Sequence, residues 1–370
     1  MTAHRRDLFS TAKIGSLELK NRLVRSATAE SLATEPAGEA TPALAALYRD
    51  LARGGVGLII TGHAYVSPKG KAHPAMLGAY SDELVPGLQT LADAAHAEGG
   101  KIALQINHGG RQCSQLSVAQ PMAPSAVPSP SGRIPLEMSH ADIVEAVEAF
   151  AAAARRAKEA GFDAVQLHGA HGYLVSQFLS PHTNRRSDAW GGDLERRLAF
   201  LAAVCEAVRG QVGRDYPLFI KLGVADNLED VPDGLTPEDG ARIAGRLAGL
   251  GLDAVEVSGG ASGRLGDYNS RLGVGARAPE AYFRSLARRV KAATRLPVIL
   301  VGGLRSRGIM DEVLDSGDAD LLALCRPLIC EPDLPNRLLA GDKAASACIS
   351  ANRCWPMEAG QGIGCKCKLE

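Results

Sequence analysis

The sequence predicts a (β/α)8 TIM barrel. Eight short apolar runs recur along 370 residues, and segments of good helix formers lie between them. Runs nearly continuous in Val, Ile and Leu suit strands buried on both faces of a parallel sheet. Eight such strand–helix units in series are what a closed α/β barrel requires.

In chain order the runs fall at 23–28, 56–62, 101–107, 164–169, 218–223, 254–259, 298–303 and 321–326. The helical segments lie at 42–53, 84–98, 140–160, 194–212, 237–250, 279–294 and 307–316. The second, third and fifth of them end in Gly99, Gly161 and Gly251, residues able to take the left-handed conformation that closes a helix. Between the third strand and third helix, residues 111–137 carry five prolines, which predicts an extended loop. Beyond Pro335 the periodicity fades, so the chain divides into a barrel over 1–343 and a cysteine-containing tail over 344–370. A doubly wound open sheet fits less well. It usually has fewer strands and puts its phosphate glycines after the first one, whereas no Gly-x-Gly-x-x-Gly follows a strand here.

Lysine and arginine together number 41, as do aspartate and glutamate. With no basic surplus, neither nucleic acid nor an anionic membrane is an expected partner. Charged residues interrupt every apolar stretch before the roughly 18 residues a membrane helix needs. The N-terminal residues lack the apolar core of a secretory signal, so the expected location is cytoplasmic. Eight cysteines in a chain this long do not spell a disulfide framework. Cys205, Cys325 and Cys330 lie in apolar stretches and are expected in the core. Cys113 lies in a polar loop and is expected at the surface.

In an α/β barrel the chemistry sits where strands run into the loops that follow them. The third strand ends in Gln105 and runs on to Arg111. The fourth ends in His168-Gly-Ala-His171-Gly-Tyr173, the fifth carries Lys221, the seventh ends in Gly302-Gly303 and the eighth in Cys325-Arg326. His168 and His171 supply two N–H donors for a carbonyl or nitro oxygen, and Tyr173, with an ordinary pKa of roughly 10, supplies a proton. Histidines that cap backbone are the plainer reading, and a metal pair would need a third ligand that the spacing does not offer. Gly302 and Gly303 let backbone N–H groups approach a phosphate at the customary barrel position. A tight turn beside a surface arginine is the alternative there.

The stretch 168–181, followed by 184–192 and Arg196, resembles the old yellow enzyme family of FMN-dependent oxidoreductases. So do 20–26, 104–111 and 320–333, so the similarity covers nearly the whole chain. The resemblance implies FMN held non-covalently across the barrel mouth. Ala27 and Thr28 would offer backbone contacts to its ring, Gly62 would lie along it, and Gln105 would bond its pyrimidine edge. Lys221 would stand near N1 and C2=O, where a fixed cation stabilises the anionic reduced flavin. Gly302, Gly303, Cys325 and Arg326 would cradle the phosphate.

The implied reaction passes hydride from NADH or NADPH through the flavin to the β-carbon of an electron-poor alkene. His168 and His171 would bind the activating oxygen and Tyr173 would protonate the α-carbon. A small-molecule alkene is thus the expected partner, while the alkene's identity, the nucleotide preference and self-association stay open. A demethylase or dienoyl-CoA reductase is the rival within the family, a flavin-free phosphate-binding lyase or isomerase and a non-catalytic flavin sensor the rivals outside it. The sequence departs from the family in two places. Ala27 and Ala29 replace side chains that in many relatives are proline and a flavin-touching residue. In the tail, Ala351 stands where relatives with an iron–sulfur cluster have a cysteine, breaking the spacing of Cys348, Cys354, Cys365 and Cys367. No metal or cluster is therefore expected, with zinc on the four thiolates the weaker option. Loops 111–137 and 260–278 are expected to shape the substrate pocket.

Overall fold

The computed structural model describes residues 7–226, 233–261, 270–356 and 361–367. Eight parallel strands close on themselves: β1 (Leu23–Arg25), β2 (Leu58–Ile60), β3 (Ile102–Asn107), β4 (Ala164–Gly169), β5 (Leu218–Gly223), β6 (Ala254–Ser258), β7 (Val298–Val301) and β8 (Leu321–Leu324). Closure comes from Leu322 pairing with Leu23 across β8 and β1, and it removes any open sheet edge. Among the described residues seven helices of nine residues or more cover the outside: α1 (Pro42–Arg53), α2 (Val85–His96), α3 (His140–Glu159), α4 (Leu194–Val212), α5 (Pro237–Arg246), α6 (Arg284–Ala293) and α7 (Arg307–Asp315). Short helices Arg326–Cys330 and Leu334–Leu339 follow β8.

Strand side chains alternate between faces, so one period-two set points outward to the helices and the other fills the barrel. The inward set has two layers. Val24, Ala103, Ala164, Phe219 and Ala254 form an apolar plug, continued by the hairpin Ala12–Ile14/Leu17–Leu19 that stoppers the N-terminal end. Two residues further along the same strands come Ser26, Gln105, Gln166, Lys221 and Glu256, all buried. This polar layer forms the floor of the mouth.

The barrel agrees with the sequence expectation, and α4 has the expected limits. Gly99, Gly161 and Gly251 take positive φ values of 68°, 84° and 80°, Gly161 directly after the last turn of α3 and Gly99 and Gly251 in the turns that follow α2 and α5. Two helices are shorter than expected by four residues or more. α5 stops at Arg246, and α6 starts only at Arg284 because Ala281 sits at φ 52° and the Tyr282 N–H donates to Gly302 O at 3.0 Å. The loop over 111–137 holds one small strand pair, Met122–Ala123 with Leu136–Glu137.

Nor does the tail dangle. Ser346 N–H donates to Arg305 O at 2.9 Å, Gly273 N–H to Ser350 O at 3.1 Å and Ile363 N–H to Glu30 O at 2.9 Å, which folds the segment over the mouth. Residues 357–360 and 368–370 of the tail lie outside the described residues, as do 1–6.

Cysteine placement brings two corrections. Cys113, expected at the surface, is buried: its thiol contacts Lys69 O at 3.4 Å and the Ser114 N–H donates to Ala72 O, so a neighbouring loop covers it. Cys325, expected in the core, is half-buried and lines the mouth, whereas Cys205 and Cys330 are buried; no disulfide joins any two cysteines among the described residues. No described helix is long and apolar enough to cross a membrane.

Candidate active site

A cleft of about 200 Å³ opens at the carboxyl ends of the strands. It brings together Ala27, Thr28, Gln105, His168, His171, Tyr173, Lys221, Gly302, Gly303, Cys325 and Arg326, so eleven of the twelve residues singled out from sequence share one wall. Gly62 does not join them. Its N–H donates to Glu30 Oε1 at 3.1 Å, and a Cβ there would come within 1.7 Å of Glu30 Oε2. A buried carboxylate therefore demands glycine at 62, which borders a smaller hollow beside the cleft.

His168 ends β4. The Ala170 N–H donates to its Nδ1 at 3.4 Å, which leaves the ring proton on Nε2 as a donor. The chain then reverses through His171, at φ 61°, and Gly172, at φ 74°. This turn sets the two imidazoles edge to face, 5.1 Å between centroids, with the Tyr173 ring 4.9 Å from His168. Nε2 of His171 meets Ser258 Oγ at 2.7 Å, so only Nδ1 remains for a ligand.

Sequence reasoning missed His63, whose ring lies 5.7 Å from His168 and 5.1 Å from Tyr173 and which bonds Asn107 through Nδ1 at 2.8 Å. Its signal was available, since it directly follows the second apolar run, much as His168 stands next to last in the fourth.

Enclosure dominates the electrostatics. Burial disfavours imidazolium and holds His63 and His168 well below the ordinary histidine value, with further depression from neighbouring imidazoles and Lys221. His171 is pushed down to about 3, first by burial and then by Lys221. The same desolvation raises the Tyr173 phenol to about 12. At neutral pH the mouth thus offers uncharged N–H donors and a protonated phenol whose hydroxyl has no hydrogen-bond partner among the described residues.

Below them lies the polar layer. Lys221 Nζ donates to Ser26 Oγ at 2.8 Å and stands 3.3 Å from Glu256 Oε1. Gln105, Gln166 and Glu256 form a hydrogen-bonded chain beside it.

At the far end, Gly302 and Gly303 take φ values of 124° and 76°. Arg326, 8% exposed, is not the surface arginine of the plainer reading: its Nη1 donates to Arg271 O and Asn352 Oδ1, each at 2.7 Å. Arg305 also lines this end, and its buried Nε has no partner among the described residues. Ser350, Cys354, Trp355 and Ile363 from the tail complete the wall, which no local pattern in the sequence announced. Of the loop over 260–278, Ser270 reaches the cleft, while 262–269 lie outside the described residues. Among the described residues no three His, Cys, Asp or Glu side chains are grouped to hold a metal ion.

Fold and site define a cofactor-binding α/β barrel with its chemistry at the mouth. The model of the NADH:flavin oxidoreductase / NADH oxidase family matches residues 7–344. A metal reductase of Desulforamulus reducens is 37% identical over 350 residues, 94% of this chain and 51% of that protein. An NADPH dehydrogenase of a Geobacillus species is 38% identical over 346 residues, 93% of this chain and 96% of that one. Among solved structures, the old yellow enzyme homologue from Zymomonas mobilis has a TM-score of 0.78 at 27% identity, over 91% of this chain and 94% of that one. The chain belongs to the NADH:flavin oxidoreductase / NADH oxidase family, the old yellow enzymes. It spans about half the length of the metal reductase.

FMN and a reduced nicotinamide nucleotide are the cofactors that go with this family. The donor set fits FMN. A buried cation and an amide lie on the floor, glycines open the backbone after β7, and Arg305, whose buried Nε has no partner among the described residues, lines the end where a phosphate belongs.

Proposed function

We propose that the protein is an FMN-dependent oxidoreductase that takes hydride from NADH or NADPH and reduces the C=C bond of activated alkenes, namely enones, maleimides and nitroalkenes. The observation that carries this reading is the enclosed, uncharged cluster of His168, His171 and Tyr173 in one cleft with a buried lysine on the neighbouring strand. Bound FMN would supply hydride storage between nucleotide and alkene.

The chain's own residues do the rest. Lys221 and Gln105 would face the pyrimidine edge, and Ala27 and Thr28 would offer backbone groups to the ring. Gly302, Gly303, Cys325 and Arg326 would hold the phosphate, with Arg305 beside them. His168 through Nε2–H and His171 through Nδ1 would hold the carbonyl or nitro oxygen; being neutral, they withdraw charge from the alkene without fixing an ion pair in the ground state. Tyr173, kept protonated by desolvation, would deliver a proton to the α-carbon. A reducing, cytoplasmic setting accords with cysteines that form no disulfide among the described residues.

The test is an anaerobic double-mixing experiment. Protein loaded with FMN is bleached by NADPH or NADH and then mixed with 2-cyclohexenone, N-methylmaleimide or a nitrostyrene. Recovery of the oxidised absorbance with one equivalent of saturated product supports the reading. Failure of both nucleotides to bleach, or of all three alkene classes to restore colour, refutes it.

A further inference from the structure

The polar layer has a direction. Glu256 is fully buried on β6 and, as a carboxylate beside Lys221, can only accept hydrogen bonds. Two donors turn towards it: Ser26 Oγ at 2.6 Å and Gln166 Nε2 at 2.7 Å. Because Gln166 spends its amino group on Glu256, its Oε1 faces β3, where it accepts from Gln105 Nε2 at 2.6 Å. Gln105, 1% exposed, is thereby held with its amino group turned to Gln166, and its Oε1 has no partner among the described residues. That oxygen is an acceptor offered to the cleft.

The same carboxylate governs Lys221. Nζ stands 3.3 Å from Glu256 Oε1 and donates to Ser26 Oγ, which itself donates a hydrogen bond to Glu256. Lys221 and Glu256 are 3% and 0% exposed, so water screens neither, and the charge a cofactor meets is that of the pair rather than of a bare ammonium.

We propose that Glu256 is a positioning residue for the flavin: through Gln166 it fixes Gln105 as a hydrogen-bond acceptor, and by pairing with Lys221 it holds down the positive field on the pyrimidine edge. This rests on the placement of FMN over Lys221 and Gln105 argued above. A cation favours whichever redox state of a cofactor carries more negative charge, so Glu256 lowers the reduction potential that Lys221 alone would set.

The experiment compares two-electron potentials and FMN dissociation constants of the wild type, Glu256→Gln, Gln166→Leu and Lys221→Met. Glu256→Gln keeps the volume and removes the charge. It should shift the reduction equilibrium at least tenfold towards the reduced form, about 30 mV for a two-electron couple. Glu256→Asp, which restores the charge, should bring back at least half of that shift. Gln166→Leu frees the Gln105 amide while leaving the ion pair, and should weaken FMN binding at least tenfold.

An unchanged potential in FMN-bound Glu256→Gln, with only a lower melting temperature, overturns the inference. If Lys221→Met does not lower the potential, the underlying placement fails instead, which separates the two. Should Glu256→Gln not fold, Gln166→Leu decides: tenfold weaker FMN binding supports the inference, and unaltered binding overturns it.

Discussion

Tyr173→Phe isolates one oxygen atom. Its ring packs 4.9 Å from His168 and 5.1 Å from His63, and phenylalanine preserves both contacts. Because the hydroxyl has no partner among the described residues, removing it breaks no hydrogen bond and strands no buried group. Stability should therefore move by less than about 0.5 kcal/mol, the range of substitutions outside such features. Reduction by NADPH transfers hydride and needs no proton from the protein, so its rate should stay within about twofold. Reduction of an enone does need one, and losing a positioned acid slows such a step by roughly 10²–10⁴-fold. Anaerobic stopped-flow at the flavin band, with each half-reaction followed separately, reads both rates. Equal loss in the two half-reactions, or none in the second, would refute the assignment of Tyr173 as proton donor.

His171→Ala should weaken binding of p-hydroxybenzaldehyde about tenfold, the worth of a hydrogen bond near 1.4 kcal/mol, and diminish its long-wavelength charge-transfer band. Ser258→Ala should do the same to a smaller extent, since its Oγ holds the ring at 2.7 Å; unchanged affinity in both variants would count against the oxyanion role. Acid should destabilise the fold. His73 and His108 are depressed to about 4 and His171 to about 3 by burial, while unfolded histidines take up protons near pH 6.5, so stability falls as pH drops from 6.5 to 4. Glu30 acts with the opposite sign. Burial raises it to about 7 against its ordinary 4.5, so it favours folding below that window and loses this as pH rises through it. Glu30→Gln should thus steepen the acid-side fall in melting temperature, and a wild-type value flat between pH 6.5 and 4 would contradict the burial account. A thiol reagent should modify half-buried Cys325, Cys354, Cys365 and Cys367 before Cys113, and loss of a fast-reacting equivalent in Cys113→Ser would place that loop wrongly.

The barrel was legible because strands buried on both faces leave long apolar runs, and the site because polar groups at the ends of those runs can point only into the mouth. Gln166 and Glu256 were overlooked although each interrupts a Val-rich run two residues after an alanine. That is the inward position, but an isolated polar residue in an apolar run looks like noise until the alternation of faces is known. Gly62 could not be placed because its constraint comes from Glu30, 32 residues earlier in the chain. The tail reaches the cleft through backbone bonds to Arg305, Gly273 and Glu30, and such long-range pairings leave no periodic trace. The early end of α5 and late start of α6 are likewise decided by turns rather than by helix propensity.

A crystal structure with FMN and p-hydroxybenzaldehyde bound tests the central claim most directly. The account predicts the isoalloxazine pyrimidine edge at Lys221 and Gln105, its phosphate beside Gly303 and Arg326, and the phenolic oxygen within hydrogen-bond reach of His168 Nε2 and His171 Nδ1. Flavin seated elsewhere, or a ligand oxygen turned away from both imidazoles, would contradict it.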